Sequence, residues 1–141
     1  MRTAILILFL SASFTLNAQD DIFGLWKSID DETGEEKSLV EIYKKDGKAY
    51  GKIVELLNPS ADDPDPVCDE CPDHRKNKRI TGLEIITALK KDGDVWEKGE
   101  ILDPENGKIY KCKIWVEGGL LKVRGYVSFL YRTQTWLPAN N

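Results

Sequence analysis

Cys68 and Cys71 stand three positions apart in "VCDECPDHRK", and the chain's single histidine, His74, follows them. Residues of these types at this spacing support three chemistries. A C-x-x-C redox centre needs a thiolate pKa lowered by a helix N-terminus or by nearby cations. Here Asp65, Asp69, Glu70 and Asp73 crowd the pair and would raise it, and no βαβ thioredoxin-like pattern surrounds the motif. A structural zinc would take Cys68, Cys71 and His74, with Cys112 as the fourth tetrahedral ligand. Cys112, however, lies in "KIYKCKIWVE", where flanking Lys111 and Lys113 must face water. Alternation then points it inward with Tyr110, Ile114 and Val116, as an inert core thiol. The reading left in front is a disulfide between Cys68 and Cys71, a small staple that shapes its loop more than it stabilises the chain. No metal and no cofactor is expected.

Other candidates for chemistry are weaker. Six acids between Asp62 and Asp73 precede Arg75, Lys76, Lys78 and Arg79. Carboxylates suit calcium, but the D-x-D-x-D-G spacing is missing and prolines interrupt the run, which favours a solvated, self-pairing loop. No G-x-S-x-G elbow, P-loop or H-E-x-x-H occurs. Glu41 with Glu100 or Asp103 has the composition of an acid–base pair. Those positions read instead as outward-facing or turn residues, Asp103 preceding Pro104. No catalytic residue is assigned.

Binding is better supported. Arg132, Gln134 and Trp136 share one face of the last strand, and Arg124 and Tyr126 share a face of the strand before it. If one of these sets points inward, it brings a guanidinium and hydrogen-bonding groups in among aromatics. That lining suits an amphipathic or anionic small molecule such as a fatty acid. With Trp26, Tyr50 and Tyr110 they form the candidate ligand-binding set. The competing expectation is a barrel filled by its own side chains. Apolar candidates for its interior are Val40, Ile42, Ile53, Leu83, Ile85, Ile114, Val116, Leu121 and Val123.

The elements that would position these residues are strands. "KSLVEIYKKDGKAYGKIVELL" is two strands around Asp46-Gly47, and "GLEIITALKKDGDVWEKGEIL" repeats the device at Asp92-Gly93. "LDPENGKIY" is a longer turn, and "WVEGGLLKV" reverses at Gly118-Gly119. With Ile22–Asp30 and "SFLYRTQTWLP" the count is about eight, a meander broken by one long loop at 58–81. No strong helix is read. The fold expected is all-β, a single antiparallel up-and-down barrel that leaves no exposed edge, with a β-sandwich as the alternative.

The opening "MRTAILILFLSASFTLNAQD" has a basic start, a short apolar run and small residues before Ala18-Gln19. That is the layout of a signal peptide over residues 1–18, with one β-barrel domain over 19–141. The apolar run is far shorter than the ~20 residues that span a bilayer, so no transmembrane segment is expected. Removing Arg2 takes the net charge from −4 to −5. A nucleic-acid partner is not expected of such a surface.

"FGLWKS" resembles the G-x-W that begins the first strand of lipocalins. In those proteins an arginine of the last strand covers that tryptophan, which would place Arg132 over Trp26 in a cation–π contact. "GLWKS", "ITGLEIITAL", "WEKGEILDPENGKIYKCKI" and "LKVRGYVSFLYRTQTW" resemble the exported bacterial proteins grouped as domain of unknown function family 2147. The resemblance spans nearly the whole expected mature chain. It implies a bacterial, exported β protein, periplasmic or secreted, and no reaction. The functional expectation is therefore a lipocalin-like barrel binding a small hydrophobic or amphipathic molecule. One alternative is an envelope protein–protein interaction module with a solid barrel and the 58–79 loop as its contact. The other is a metal- or thiol-dependent activity at the Cys68/Cys71 loop.

Overall fold

The computed structural model describes residues 21–139; the expected signal peptide lies outside them. Eight strands follow in order: β1 (Gly24–Ile29), β2 (Glu36–Lys45), β3 (Lys48–Leu56), β4 (Glu84–Asp92), β5 (Val95–Leu102), β6 (Ile109–Glu117), β7 (Leu120–Val127) and β8 (Leu130–Pro138). Each pairs antiparallel with its sequence neighbour, and β1 closes on β8. Closure removes the sandwich alternative, because among the described residues all eight strands belong to one closed sheet.

The turns explain the meander. Asp46 and Gly47 both have positive φ (52° and 75°), as do Gly118 and Gly119 (60° and 77°). This is the primed-turn geometry whose twist matches the strands it joins. Between β4 and β5 the two turn residues are Gly93 and Asp94, one position later than the sequence suggested. These three reversals gather at one end of the barrel. The longer connections 30–35, 57–83 and 103–108 gather at the other end, together with the short turn at Ser128-Phe129.

The two ends differ in filling. At the short-turn end Trp26, Val40, Ile42, Ile86, Leu89, Ile114 and Leu121 are fully buried. Trp26 Nε1 donates to the Ile22 carbonyl at 2.8 Å, and Phe23 lies edge-on to Trp96. Gly51 belongs to this plug, since a Cβ there would stand 3.0–3.1 Å from Ile42 and Ile86. The β1–β8 seam is paired only at this end, through Trp26↔Pro138 and Lys27↔Leu137. Toward the other end the interior opens.

Candidate functional site

The open half encloses a cavity of about 830 Å³, within the range of ligand pockets. Period-2 alternation decides its lining. In β7, Leu121 and Val123 are buried, so Gly125 also faces inward and Arg124 and Tyr126 face out. Register carries this to β8: Leu121 pairs with Trp136, Val123 with Gln134 and Gly125 with Arg132. Of the two sets left open by the sequence, Arg132, Gln134 and Trp136 is the inward one. Ile53, Ile85, Ile101 and Val123 supply apolar wall, and Tyr110 stands beside Gly125. A Cβ at Gly125 would meet Tyr110 Cβ at an ordinary 3.5 Å, so the missing side chain is space given to the cavity.

Polar and ionisable side chains share the lining with this apolar wall. Ser28 and Ser38 are buried and share a 2.7 Å hydroxyl–hydroxyl hydrogen bond in the cavity wall. Along β8, Trp136 Nε1 donates to Gln134 Oε1 at 3.0 Å, and Gln134 Nε2 reaches Asp31 Oδ1 at 3.4 Å. Arg132 donates to both Asp31 oxygens, through Nε and Nη2, and its Nη2 also meets Glu32 at 3.1 Å. Hydrogen bonding to Asp31 raises the Arg132 pKa above its ordinary value. Across the mouth Lys37 pairs with Glu105 at 3.0 Å, which raises the lysine pKa in turn. The rim is thus charged, both its cations are paired with acids, and Asp30, Asp63, Asp69 and Asp103 add further carboxylates to the lining.

The 57–83 connection is a wall rather than a loose loop: Pro66, Val67 and Ile80 line the cavity. Cys68 and Cys71 form a disulfide with Cα atoms 5.5 Å apart, and both are buried. Joined to each other, they leave no thiolate for catalysis or metal. His74 is exposed beside Asp73, and among the described residues no three acidic, histidine or cysteine side chains are grouped to hold a metal. Arg75 anchors the segment, gripping Asp73 bidentately at 2.7 and 3.0 Å and donating to the Glu84 carbonyl at 2.9 Å. Those hydrogen bonds, led by the Arg75 side chain, pull the Asp73 pKa down to about 2. Arg79 pairs with Asp65 at 3.4 Å, so the loop's segregated charges face one another.

Other placements correct the sequence reading. Trp26 lies in the solid plug and lines no cavity, and Arg132 does not cover it. Trp26 pairs with Pro138, six residues along β8 from Arg132, about 20 Å at the usual strand rise. Arg132 caps the mouth through Asp31 instead. Tyr50 faces outward and stacks on Tyr43. Arg124 is also outside, between the Trp115 and Tyr131 rings at 4.9 and 4.2 Å, and Tyr126 contacts Tyr131. Four of the eight candidates therefore meet at one site: Tyr110, Arg132, Gln134 and Trp136. Cys112 is a buried free thiol, its pKa pushed up to about 12 by desolvation. Glu41 and Glu100 pair with Lys52 and Lys111, and Asp103 caps its turn by accepting from Glu105 N.

Sequence reading missed Ser28, Ser38, Lys37 and Asp31. The first two were within reach, because alternation from Trp26 and Val40 turns both serines inward. Asp31 and Lys37 gave no such signal; only closure of the barrel brings them to β8 and to the 103–108 turn.

Comparison with known proteins fits this geometry. A family model described as "uncharacterized protein conserved in bacteria (DUF2147)" matches residues 24–137, from the first strand to the last. No curated protein matches the sequence. Among solved structures, the protein HP1028 from the human pathogen Helicobacter pylori, named as a member of the lipocalin family, is similar in fold. Its TM-score is 0.73 at 17% identity, covering 86% of this chain and 84% of the other. At that identity the likeness is one of fold alone.

Proposed function

The chain belongs to the DUF2147 family of bacterial proteins, and from that premise we propose that it is an exported barrel that binds a small hydrophobic or amphipathic molecule. The observation that carries this reading is the cavity itself: about 830 Å³, apolar at depth, with Arg132, Lys37, Asp31 and Glu105 at its mouth. Such a gradient accepts an apolar body and leaves a polar end at the rim. Ser28, Ser38 and Gln134 offer hydrogen bonds midway. The lipocalin-like neighbour supports the reading by fold. Export is supported by the N-terminal sequence pattern and by the Cys68–Cys71 disulfide, which suits an oxidising compartment.

Two other readings carry less. A solid barrel accounts for only half of this one. A thiol- or metal-dependent centre at Cys68 and Cys71 lacks a free thiolate. The test is native mass spectrometry on protein purified from an exporting bacterial host, followed by titration with a fluorescent fatty acid. Expected are a co-purified lipid-like mass or saturable one-to-one probe binding, and a signal cleavage near Ala18. An apo spectrum together with no probe binding would refute the proposal.

A further inference from the structure

The β7–β8 reversal departs from the other two-residue turns. Those contain glycine, as turn geometry favours; this one is Ser128-Phe129, with Ser128 carrying the positive φ of 56°. Phe129 is 85% exposed, and Val127, Leu130 and Tyr131 are each more than half exposed. Neither turn chemistry nor packing accounts for four large apolar or aromatic side chains at one hairpin tip. Ile109 extends the patch through a shallow groove shared with Val127 and Ser128.

We propose that the Val127–Tyr131 hairpin tip is a docking surface for the face of a phospholipid bilayer. Three observations favour a bilayer over a protein partner. Polarity changes in order with distance from the tip: Val127, Phe129 and Leu130 first, then Tyr126 and Tyr131 in ring contact, then Arg132, held by Asp31 and Glu32, and Arg124, packed on Tyr131. Apolar groups, then tyrosines, then cationic side chains is the sequence of environments met on crossing a membrane interface. The patch is also small, a handful of side chains against the roughly 20 residues a side of a stable protein interface. Finally, Val127, Leu130 and Tyr131 line the cavity as well as facing solvent, so apolar surface runs unbroken from tip to interior. With the tip seated in the headgroup region, the mouth opens toward the acyl chains. The docking geometry stands on the hairpin alone; its purpose, exchange of a hydrophobic molecule with the membrane, rests on the proposed carrier reading.

The experiment is co-sedimentation of the protein from an exporting host with phosphatidylglycerol/phosphatidylethanolamine vesicles, against F129S. Phe129 is exposed and lies outside the cavity lining, so the fold and the cavity should persist, and an unchanged far-UV spectrum checks the fold. Wild type is expected to pellet with vesicles, and the variant to partition about tenfold more weakly, as befits one lost aromatic side chain. Absent wild-type binding, or equal binding by the variant, overturns the proposal. So does a concentration-dependent dimer that the variant abolishes without any vesicle binding, which would assign the tip to a second copy. Titration of both proteins with a fluorescent fatty acid in vesicle-free buffer reads the cavity separately. Probe binding kept by the variant while vesicle binding falls confirms docking, and vesicle binding without any probe binding confirms docking while refuting the carrier reading.

Discussion

Gly107 holds the 103–108 turn against the staple loop, and replacing it measures that contact. Its φ is +71°, and an added Cβ would stand 1.9 Å from the Glu70 carbonyl oxygen and 3.0 Å from Cys71 N. No side chain can flex away from that contact, because the obstacle is backbone. Gly34 is the natural control: its φ is +74°, with nothing within 4 Å of its Cβ position. Both substitutions to alanine carry the left-handed backbone cost of about 1–2 kcal/mol. Only Gly107→Ala adds an overpacking cost, about 1–3 kcal/mol. It must also push away the buried disulfide that lies 3.6 Å from the Pro104 carbonyl through Cys68 Sγ. Urea unfolding should therefore place Gly107→Ala roughly 2 kcal/mol below Gly34→Ala, a gap of about 8 °C in Tm for a domain of this size. Because Pro66, Val67 and Ile80 belong to the cavity wall, fatty-acid probe affinity should fall in Gly107→Ala and hold in Gly34→Ala. Equal costs for the two variants would refute the idea that the loop is packed as a wall.

A homologous series of straight-chain carboxylic acids should gain about 0.8 kcal/mol, or roughly fourfold in affinity, per added methylene until the apolar depth is filled. Gly125→Leu should move that plateau about four carbons shorter in competition titrations without lowering Tm; a flat series would contradict an apolar depth. Replacing Cys68 and Cys71 together by serine should cost about 2 kcal/mol by the loop-entropy relation for so small a ring. Chemical denaturation reads that cost, and probe binding is expected to survive. Asp73 has its folded pKa lowered to about 2, from an ordinary 3.8, chiefly by its hydrogen bonds to Arg75. Its contribution is complete above about pH 4 and is lost as pH falls toward 2. Stability–pH curves should show that acid step in the wild type and not in Asp73→Asn.

The strands and their order were legible because the chain marks its reversals locally. Asp46-Gly47 and Gly118-Gly119 announce primed turns, and alternation fixes which side of each strand meets the core. What stayed open was global. Whether Arg132, Gln134 and Trp136 or Arg124 and Tyr126 face inward depends on the β7–β8 register, and buried Leu121 and Val123 decide it. The Arg132–Trp26 contact failed for a related reason: residues brought near by closure are still separated by height along the barrel. Tyr50 has the aromatic character of a ligand contact, yet Ala49, Gly51 and Ile53 take the inward positions of β3. Depth and partner, which Asp31 supplies for Arg132, are properties of the closed barrel and of no segment alone.

The β1–β8 seam has a consequence for how the molecule is made. Every other strand pair joins neighbours in the chain, so six of the eight pairings can form by short loop closures and β3–β4 by closing the 57–83 connection, as soon as their residues are available. The seam alone must wait for both ends of the sheet, and it is held by two paired positions near Trp26 and, at the mouth, by the Asp31 side chain. Closure is thus the natural late event of folding, and the seam the place where the sheet first parts under stress. It also brings the strand termini Gly24 and Pro138 near each other at the plugged end, Pro138 pairing with Trp26. A tether or fusion attached there would leave the mouth and its apolar hairpin pointing away from the attachment, and a permuted chain opened at Gly118-Gly119 would need only a short linker to restore the same cylinder.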